Sequence, residues 1–247
     1  MQLIFYITIY ITGVLLGSFF TLATYRIPRG EDITHTRSYC PKCNHRLEFL
    51  DLIPIMSYTF LGGCCRYCRE KISPRYIIIE AISGIAYLLF IISLKFTIFT
   101  LINIPNIIYL IFVTIFFSLI MILIGIEKET SKVPNSIFTF GLILSMLYIT
   151  YLYVFKINIY RYIICFTIYF ILYILNRKKE NYPIKMLLTF LIIIIFNMKY
   201  AIILFALLLL STLIYFLKKK NAVLSICAMS LIFITVANLI GINGWCL

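Results

Sequence analysis

The chain has 247 residues, of which 63% are hydrophobic and only 13% are charged, with a mean hydropathy of +1.03. A soluble domain of this length cannot cover so much apolar surface with so few charges, so the composition excludes a water-soluble globular protein. In lipid, only helices and closed barrels satisfy every backbone polar group, and continuous apolar runs rather than alternation predict helices.

Charge-poor runs predict an all-α polytopic membrane protein with about eight transmembrane helices. In chain order the runs cover residues 3–25, 77–94, 106–126, 136–155, 159–175, 184–197, 200–217 and 222–243. The sixth run is short, because only thirteen residues separate Lys185 from Lys199 and a crossing needs roughly 20. It is therefore tilted, half-buried in protein, or joined to the seventh run as a re-entrant pair.

The basic residues predict the orientation in the membrane. With the N-terminus outside, eighteen of the 22 Lys and Arg residues lie on the cytosolic side, in residues 26–76, 127–135, 176–185 and 218–221. Such an excess follows the positive-inside rule, and it places these residues near anionic lipid headgroups. The net charge of +13 therefore indicates membrane topology and no nucleic-acid partner.

The segment 26–76 is the only one outside the predicted spans that is large enough to fold. The predicted organisation is a first transmembrane helix (1–25), a cytosolic loop domain (26–76) and a transmembrane helical domain (77–247). Two CxxC pairs lie in the loop with twenty-one residues between them, and they comprise Cys40, Cys43, Cys65 and Cys68. This spacing is typical of a four-thiolate zinc site, and the metal supplies stability that so small a loop lacks.

Other roles for the cysteines are also compatible with the sequence. Disulfides are one alternative, which the predicted cytosolic location disfavours. Cys64 or His45 could replace one ligand, although the CxxC register favours Cys65. Four thiolates leave no open position for an activated water, so the predicted zinc is structural. The remaining cysteines are predicted to be packing residues, namely Cys165, Cys227 and Cys246.

Several short stretches together resemble the bacterial prepilin peptidases. They are the cysteine quartet, GSFFTLATYRIPRGE at 17–31, DLIPIMSY at 51–58 and ISPRYIIIEAISG at 72–84, within about residues 11–90. The resemblance implies a bacterial inner-membrane enzyme of type IV pilus and type II secretion systems. Such an enzyme cleaves the leader of prepilin substrates after a glycine at the cytosolic face, then N-methylates the new terminus with S-adenosylmethionine.

The peptidase half of that family uses two aspartates, the second in a G-x-G-D motif. By resemblance, Glu127 stands at the first catalytic position and Pro183 at the second. The chain contains no Asp between residues 52 and 247, so the peptidase half is predicted to be impaired or inactive.

Glu127 with Glu180 is the remaining catalytic pair that the sequence offers. The longer Glu side chain displaces the carboxylate, and a misplacement of about 1 Å can cost on the order of a hundredfold in rate. The alternatives are that Glu127, Glu129 and Glu180 are solvated helix ends or contact a substrate.

Glu80, Gly17 and Ser18 are candidate binding residues near the cytosolic ends of the first two spans. An ionisable group inside a span is costly unless it has a partner, so it indicates function or architecture. The alternatives are an ion pair of Glu80 with Arg75 or Arg26 that anchors the loop, and close helix packing at the two small residues.

Three functional hypotheses follow from these features. The first is a prepilin-processing enzyme with doubtful proteolysis. The second is an inactive paralogue that binds prepilins or a partner peptidase as a membrane scaffold. The third is methyl transfer without proteolysis.

Overall fold

The structure is a computed structural model. It describes residues 1–130, 133–157, 159–178, 182–218 and 223–240. Within these residues the fold is helical and has no strand, which confirms the predicted all-α class. The α-helices of this part of the chain are α1 Gln2–Arg26, α2 Met56–Phe60, α3 Arg75–Ser93, α4 Ile104–Thr130, α5 Asn135–Val154, α6 Tyr160–Asn176, α7 Tyr182–Phe196, α8 Ala201–Lys218 and α9 Val223–Ile240. Residues 1–99 form one compact unit and residues 100–247 form a second.

Four helical stretches in the described residues are long and apolar enough to cross a bilayer. They are Gln2–Arg29, Arg75–Ser93, Ile104–Glu127 and Asn135–Val154. A fifth span results if the bent pair Ile184–Phe196 and Met198–Leu209 is counted as one. The chain is therefore an integral membrane protein, whereas the predicted count of about eight spans is not confirmed. The predicted domain boundaries also stay a prediction.

In the first unit, α1 and α3 pack closely because both helices carry glycine at the crossing. A Cβ added at Gly17 would lie 2.8 Å from the Ser83 Cβ and 3.0 Å from the Glu80 Cα. A Cβ added at Gly13 would lie 2.9 Å from the Gly84 Cα. Residue numbers fall along α1 as they rise along α3, so the helices are antiparallel. Small residues allow this close backbone approach between membrane helices.

In the second unit, α7 is a buried central helix, which explains why the sixth apolar run is short. Every residue from Leu188 to Phe196 is at most 8% exposed, and α7 packs against α5, α6 and α8. A helix that is apolar on all sides is buried by other helices rather than by water. After α7 the chain bends by 116° into the following helix. Of the three predicted alternatives, the structure combines burial in protein with a bent or re-entrant pair.

Tight contacts around α7 fix its neighbours. A Cβ added at Gly141 in α5 would lie 2.7 Å from the Ile192 Cδ1 of α7 and 3.2 Å from the Tyr169 hydroxyl of α6. That hydroxyl is fully buried and donates a hydrogen bond to the Phe138 carbonyl. The second unit is thus held by close packing of apolar and aromatic side chains around one central helix.

Candidate metal centre

The first CxxC pair lies in a closed backbone turn, here called knuckle 1 (residues 39–46). The Cys40 N–H donates to the His45 carbonyl at 3.0 Å, and the Asn44 N–H donates to the Cys40 carbonyl at 2.8 Å. Asn44 has a φ of +55°, a left-handed conformation that asparagine adopts more readily than other non-glycine residues. A β-bridge between Tyr39 and Arg46 closes the turn.

The second pair repeats this arrangement in knuckle 2 (residues 64–71). The Cys65 N–H donates to the Glu70 carbonyl at 2.8 Å, and the Arg69 N–H donates to the Cys65 carbonyl at 3.0 Å. Arg69 has a φ of +59°, at the position equivalent to the left-handed residue of knuckle 1. A β-bridge between Cys64 and Lys71 closes this turn. The two knuckles therefore present their sulfur atoms with the same backbone geometry.

The two knuckles bring the four predicted ligands together. The sulfur atoms of Cys40, Cys43, Cys65 and Cys68 all lie within 4.8 Å of one another, and the Cys40 and Cys68 sulfurs are 3.9 Å apart. Four thiolates bound to zinc at about 2.3 Å in a tetrahedron are separated by about 3.8 Å. The cluster could therefore hold a metal ion, and its donor set and spacing fit zinc.

The alternative ligands lie outside this cluster. The Cys64 sulfur contacts the Gly62 carbonyl at 3.6 Å, and the His45 ring stacks on Tyr67 with their centroids 3.6 Å apart. Among the cysteines that the structure describes, all are free thiols, Cys165 included. The side chains of Cys227 and Cys246 lie outside the described residues.

The four thiols do not have equal acidity. The backbone N–H groups of Cys43 and Lys42 lower the pKa of Cys40 to about 7, because they stabilise its thiolate. The Glu70 N–H acts to lower the pKa of Cys68, but desolvation and the neighbouring thiols raise it to about 12. Metal binding must displace the protons of such thiols, so metal affinity depends on pH.

A carboxylate joins knuckle 2 to the preceding short helical turn, Phe49–Leu52. Asp51 accepts a hydrogen bond from the Arg66 Nε at 2.6 Å, and it also accepts from the Tyr67 hydroxyl and the Glu48 N–H. Its side chain is 4% exposed. Desolvation acts to raise the pKa of Asp51, but these partners hold it below its ordinary value. The sequence had not indicated this pair, because its two members are fifteen residues apart.

Glu80 is buried and holds the loop by a backbone contact. Its Oε2 accepts a hydrogen bond from the Ile55 N–H at 2.8 Å, and the Ser18 side chain also hydrogen-bonds the carboxyl group. Ile55 has a φ of +61° and a ψ of −50°, and the Met56 N–H donates to the Pro54 carbonyl. This is a classic γ-turn, a strained conformation for a β-branched residue.

Arg26, one of the two alternative ion-pair partners of Glu80, binds backbone carbonyls of the loop instead. It is 5% exposed, and its guanidinium donates to the carbonyls of Asp32, Thr36 and Arg37. The loop is thus anchored at two places, by Arg26 at the end of α1 and by Glu80 in α3. A substrate-contact role for Glu80, Gly17 and Ser18 stays a prediction, and a helix bound at Gly17 would have to displace α3.

Glu127 lies near the end of α4 and is 3% exposed, so its interpretation as a solvated helix end is wrong. Burial of polar groups is costly in an apolar interior, which makes this carboxyl a constrained position rather than a surface one. Glu180 and the side chain of Glu129 lie outside the described residues. The predicted pairing of Glu127 with Glu180 therefore stays a prediction.

In the second unit, the start of α7 contacts the connection between α4 and α5. The Lys185 Nζ, at the start of α7, donates to the Val133 carbonyl in the connection between α4 and α5 at 2.6 Å. Pro183 is the second residue of α7, a location where proline is favoured because its missing N–H has no helical partner. A proline there carries no group that can exchange a proton.

These features define the class of protein. The chain is an α-helical integral membrane protein that carries, between its first two spans, a four-cysteine domain able to hold a metal ion.

Comparison with known proteins places this class more narrowly. Residues 11–94 match the family model described as "Bacterial Peptidase A24 N-terminal domain", and they fall within the first compact unit. The proteins named "Prepilin leader peptidase/N-methyltransferase" from Vibrio cholerae serotype O1 and Klebsiella pneumoniae are similar. They are 40% identical over 88 residues and 32% identical over 87 residues. The protein of the same name from Bacillus subtilis is 40% identical over 76 residues.

The N-terminal region of the chain is similar to that of the prepilin peptidases, which confirms the resemblance found in the sequence. The matches cover 31–33% of this chain and 31–38% of these three relatives. The chain thus spans about a third of the length of the curated relatives that it matches. No solved structure is significantly similar to it.

The structure offers no fit for S-adenosylmethionine in the cleft beside knuckle 1. This cleft of about 530 Å³ is lined by His35, Thr36, Arg37, Tyr39, Asn44 and Arg46. Two guanidinium groups and no carboxylate line it, so it would repel the positively charged sulfonium centre. No methyl-transfer step is therefore assigned to these residues.

Proposed function

We propose that this chain binds type IV pilin-like precursors at the cytosolic face of the bacterial inner membrane and does not cleave their leader. The observation that supports the proposal most is a contrast between two sites. The cysteines of the metal centre are all present, whereas the positions that the resemblance gives to the two catalytic aspartates hold Glu127 and Pro183. In the matched region, the sulfur atoms of all four cysteines lie within 4.8 Å of one another, as a metal site would require. By the resemblance, Pro183 stands where the second aspartate of the family would be.

The chemistry of an aspartyl protease requires two carboxyl groups in one site. Each environment shifts one pKa relative to the other, so one carboxylate acts as base while its partner donates a proton. Pro183 cannot take either part, and no Asp follows Asp51 in the chain. The Lys185 contact to Val133 supports a scaffold that keeps both segments together without the acid groups. Such a scaffold could still hold a precursor, or a partner peptidase, without cutting.

Zinc has a structural role in this proposal. Cys40, Cys43, Cys65 and Cys68 would hold it, and the bound ion would fix the two knuckles that flank residues 47–63. With four thiolates the coordination is full, so the metal supplies cross-linking rather than an activated water. The excess of basic residues in 26–76 supports a cytosolic location for this domain, where its thiols stay reduced.

The test is co-expression with a prepilin-like substrate in cells that lack every other prepilin peptidase. Mass spectrometry of the recovered pilin then reports the leader and any added methyl group. We expect an uncut leader and co-purification of the precursor with the chain. A trimmed terminus would overturn the proposal. A methyl group added to a pilin that was trimmed beforehand would favour methyl transfer without proteolysis.

Proteolysis by glutamates is the second candidate, and the burial of Glu127 favours it. Glu127 is 3% exposed at the end of a span, and a buried carboxyl group is a candidate for acid–base chemistry. The matched variants are Glu127→Gln and Glu129→Gln in the same co-expression assay. If the leader is trimmed by the wild type and by Glu129→Gln but not by Glu127→Gln, the glutamate mechanism is correct.

A further inference from the structure

Residues 49–60, called the 49–60 segment below, expose apolar side chains. Neither the metal centre nor the proposed binding of a precursor accounts for this exposure. Phe49 and Phe60 are each 81% exposed. Three further apolar residues of the segment are more than 40% exposed, namely Leu50, Leu52 and Met56. Large exposed apolar patches are uncommon on water-facing domains and mark contact surfaces.

The segment is amphipathic, and one face packs on Gly63 and Ile72, the residues that flank knuckle 2. A Cβ added at Gly63 would lie 3.0 Å from the Tyr58 ring, and the Tyr58 hydroxyl donates to the Ile72 carbonyl at 3.4 Å. Met56 and Phe60, four residues apart in α2, share the other face. The exposed face is therefore a fixed surface of the domain rather than a loose loop.

The hydrogen bond from the Ile55 N–H to Glu80 indicates how deep the 49–60 segment lies relative to the ends of α1 and α3. Glu80 lies five residues after Arg75, which begins α3, so it is about 7.5 Å along the helix axis. Ser18 also contacts Glu80 and lies eight residues before Arg26, about 12 Å from that end of α1. The Ile55 N–H that binds Glu80 is thus well inside the charged ends of both spans.

The backbone of the turn is paired in the way that a lipid environment demands. Pro54 has no N–H, and the Ile55 N–H donates a hydrogen bond to the Glu80 carboxylate. The Thr59 hydroxyl donates a hydrogen bond to the Met56 carbonyl. The following backbone donors also have acceptors within the segment: Met56 to Pro54, Ser57 to Ile53, Thr59 to Ile55 and Leu61 to Ser57. Unpaired backbone groups cost several kcal/mol in hydrocarbon, whereas a water-exposed loop tolerates them.

The charge distribution agrees with a membrane surface. Asp51 is the only charged residue from 49 to 65, and its carboxylate is held by Arg66. Around the segment, residues 26–76 carry nine Lys and Arg against five Asp and Glu. An apolar face on a domain with an excess of basic residues is typical of elements that lie in the headgroup region of anionic membranes.

We propose that the exposed face of the 49–60 segment inserts into the lipid headgroup and acyl boundary, as a second membrane contact between the first two spans. The exposed face lies at the same depth as the cytosolic ends of α1 and α3. Lipid is therefore the partner that we propose to cover it. The bilayer then holds the domain between the two knuckles against the membrane. This inference does not depend on the proposed function.

Tryptophan fluorescence in vesicles tests the inserted face. The variant Phe60→Trp is made in the full chain with Trp245→Phe, which removes the only native tryptophan. The protein is reconstituted in phosphatidylethanolamine and phosphatidylglycerol whose acyl chains carry bromine near the headgroup. We expect roughly twofold quenching by the brominated lipid and little by aqueous acrylamide, because such faces lie about 5–10 Å into the boundary. Phe49→Trp is expected to respond in the same way.

His35→Trp in the same background is the matched control, because His35 lies in the same loop, is 89% exposed and has polar neighbours. It is expected to respond to acrylamide and not to brominated lipid. Retained metal in each variant shows that the domain is folded. The proposal is overturned if Phe60→Trp responds only to acrylamide, or if both tryptophans respond equally to lipid. It is also overturned if only an added pilin-derived peptide shields Phe60→Trp.

Discussion

Residues 1–99 contain a complete set of four cysteines that could hold a metal ion. Their sulfur atoms lie within 4.8 Å of one another, in two matching knuckles. Residues 100–247 form a helical unit in which the Lys185 amine contacts the Val133 carbonyl, Glu127 is buried, and Pro183 is the second residue of α7. The family match covers residues 11–94 and so falls in the first unit alone.

The difference shows which physical constraints are strict. A tetrahedral metal site needs all four ligands at once, and a small loop without it lacks the core to fold. Helix packing in lipid tolerates exchange among apolar residues as long as volume and small contact positions are kept. A helical membrane scaffold is therefore less strictly constrained in sequence than a tetrahedral metal site. Four substitutions sharpen or break this comparison.

The largest effect is expected at the metal centre. Cys65→Ser should abolish metal binding and unfold the knuckles, since structural zinc contributes about 10–16 kcal/mol of apparent binding free energy in small domains. Metal content by plasma mass spectrometry and thiol reactivity measure the loss. Cys64→Ser is the control and should keep its metal, because the Cys64 sulfur faces the Gly62 carbonyl. Loss of metal in Cys64→Ser alone would show that the ligand set is wrong.

The next effect is expected at Glu80. Glu80→Ala leaves the Ile55 N–H without its acceptor, which should cost about 1–3 kcal/mol and speed amide exchange at residues 53–57. Hydrogen exchange with mass spectrometry in detergent micelles measures both. Glu80→Gln retains a carbonyl oxygen and should keep most of the protection. If both variants lose protection equally, the charge rather than the backbone contact is what anchors the loop.

The crossing of α1 and α3 should be almost as sensitive. Gly17→Ala places a methyl group 2.8 Å from the Ser83 Cβ, so the helices must separate, at about 1–3 kcal/mol. Thermal unfolding in detergent measures the change. The double variant with Ser83→Gly should recover part of the loss, because the Ser83 Cβ is then absent. No recovery would mean that the contact with the Glu80 backbone dominates.

The smallest effect is expected at the Asp51–Arg66 pair. Arg66 is 45% exposed, so solvent screens the pair and Asp51→Asn should cost about 0.2–1 kcal/mol at neutral pH. The pKa of Asp51 is lowered, so its contribution is present above about pH 4 and is lost as the pH falls through the lowered value. Unfolding of wild type and Asp51→Asn should therefore converge in acid, with metal content recorded at each pH. A difference that grows in acid would contradict this pair.

Much of the first unit could be predicted from the sequence. The CxxC spacing predicts the four ligands, and the register that favours Cys65 over Cys64 agrees with the sulfur positions in the structure. The partner of Glu80 could not be predicted, because it is a backbone N–H made available by a strained turn at Ile55. The burial of Glu127 could not be predicted from composition either, because the residues that end an apolar helix are usually exposed to solvent.

Apolar composition by itself determined that the chain is helical and lies in a membrane, because no other backbone arrangement is satisfied in lipid over such runs. Cysteine spacing by itself predicted which four residues come together as a group that could hold a metal ion, because each knuckle is a local structure of a few residues. Only the tertiary structure decided that α7 is a buried core helix and that the 49–60 segment lies beside Glu80. The physical reason is that an apolar run is equally compatible with lipid and with protein around it, and only the packing of other helices distinguishes the two.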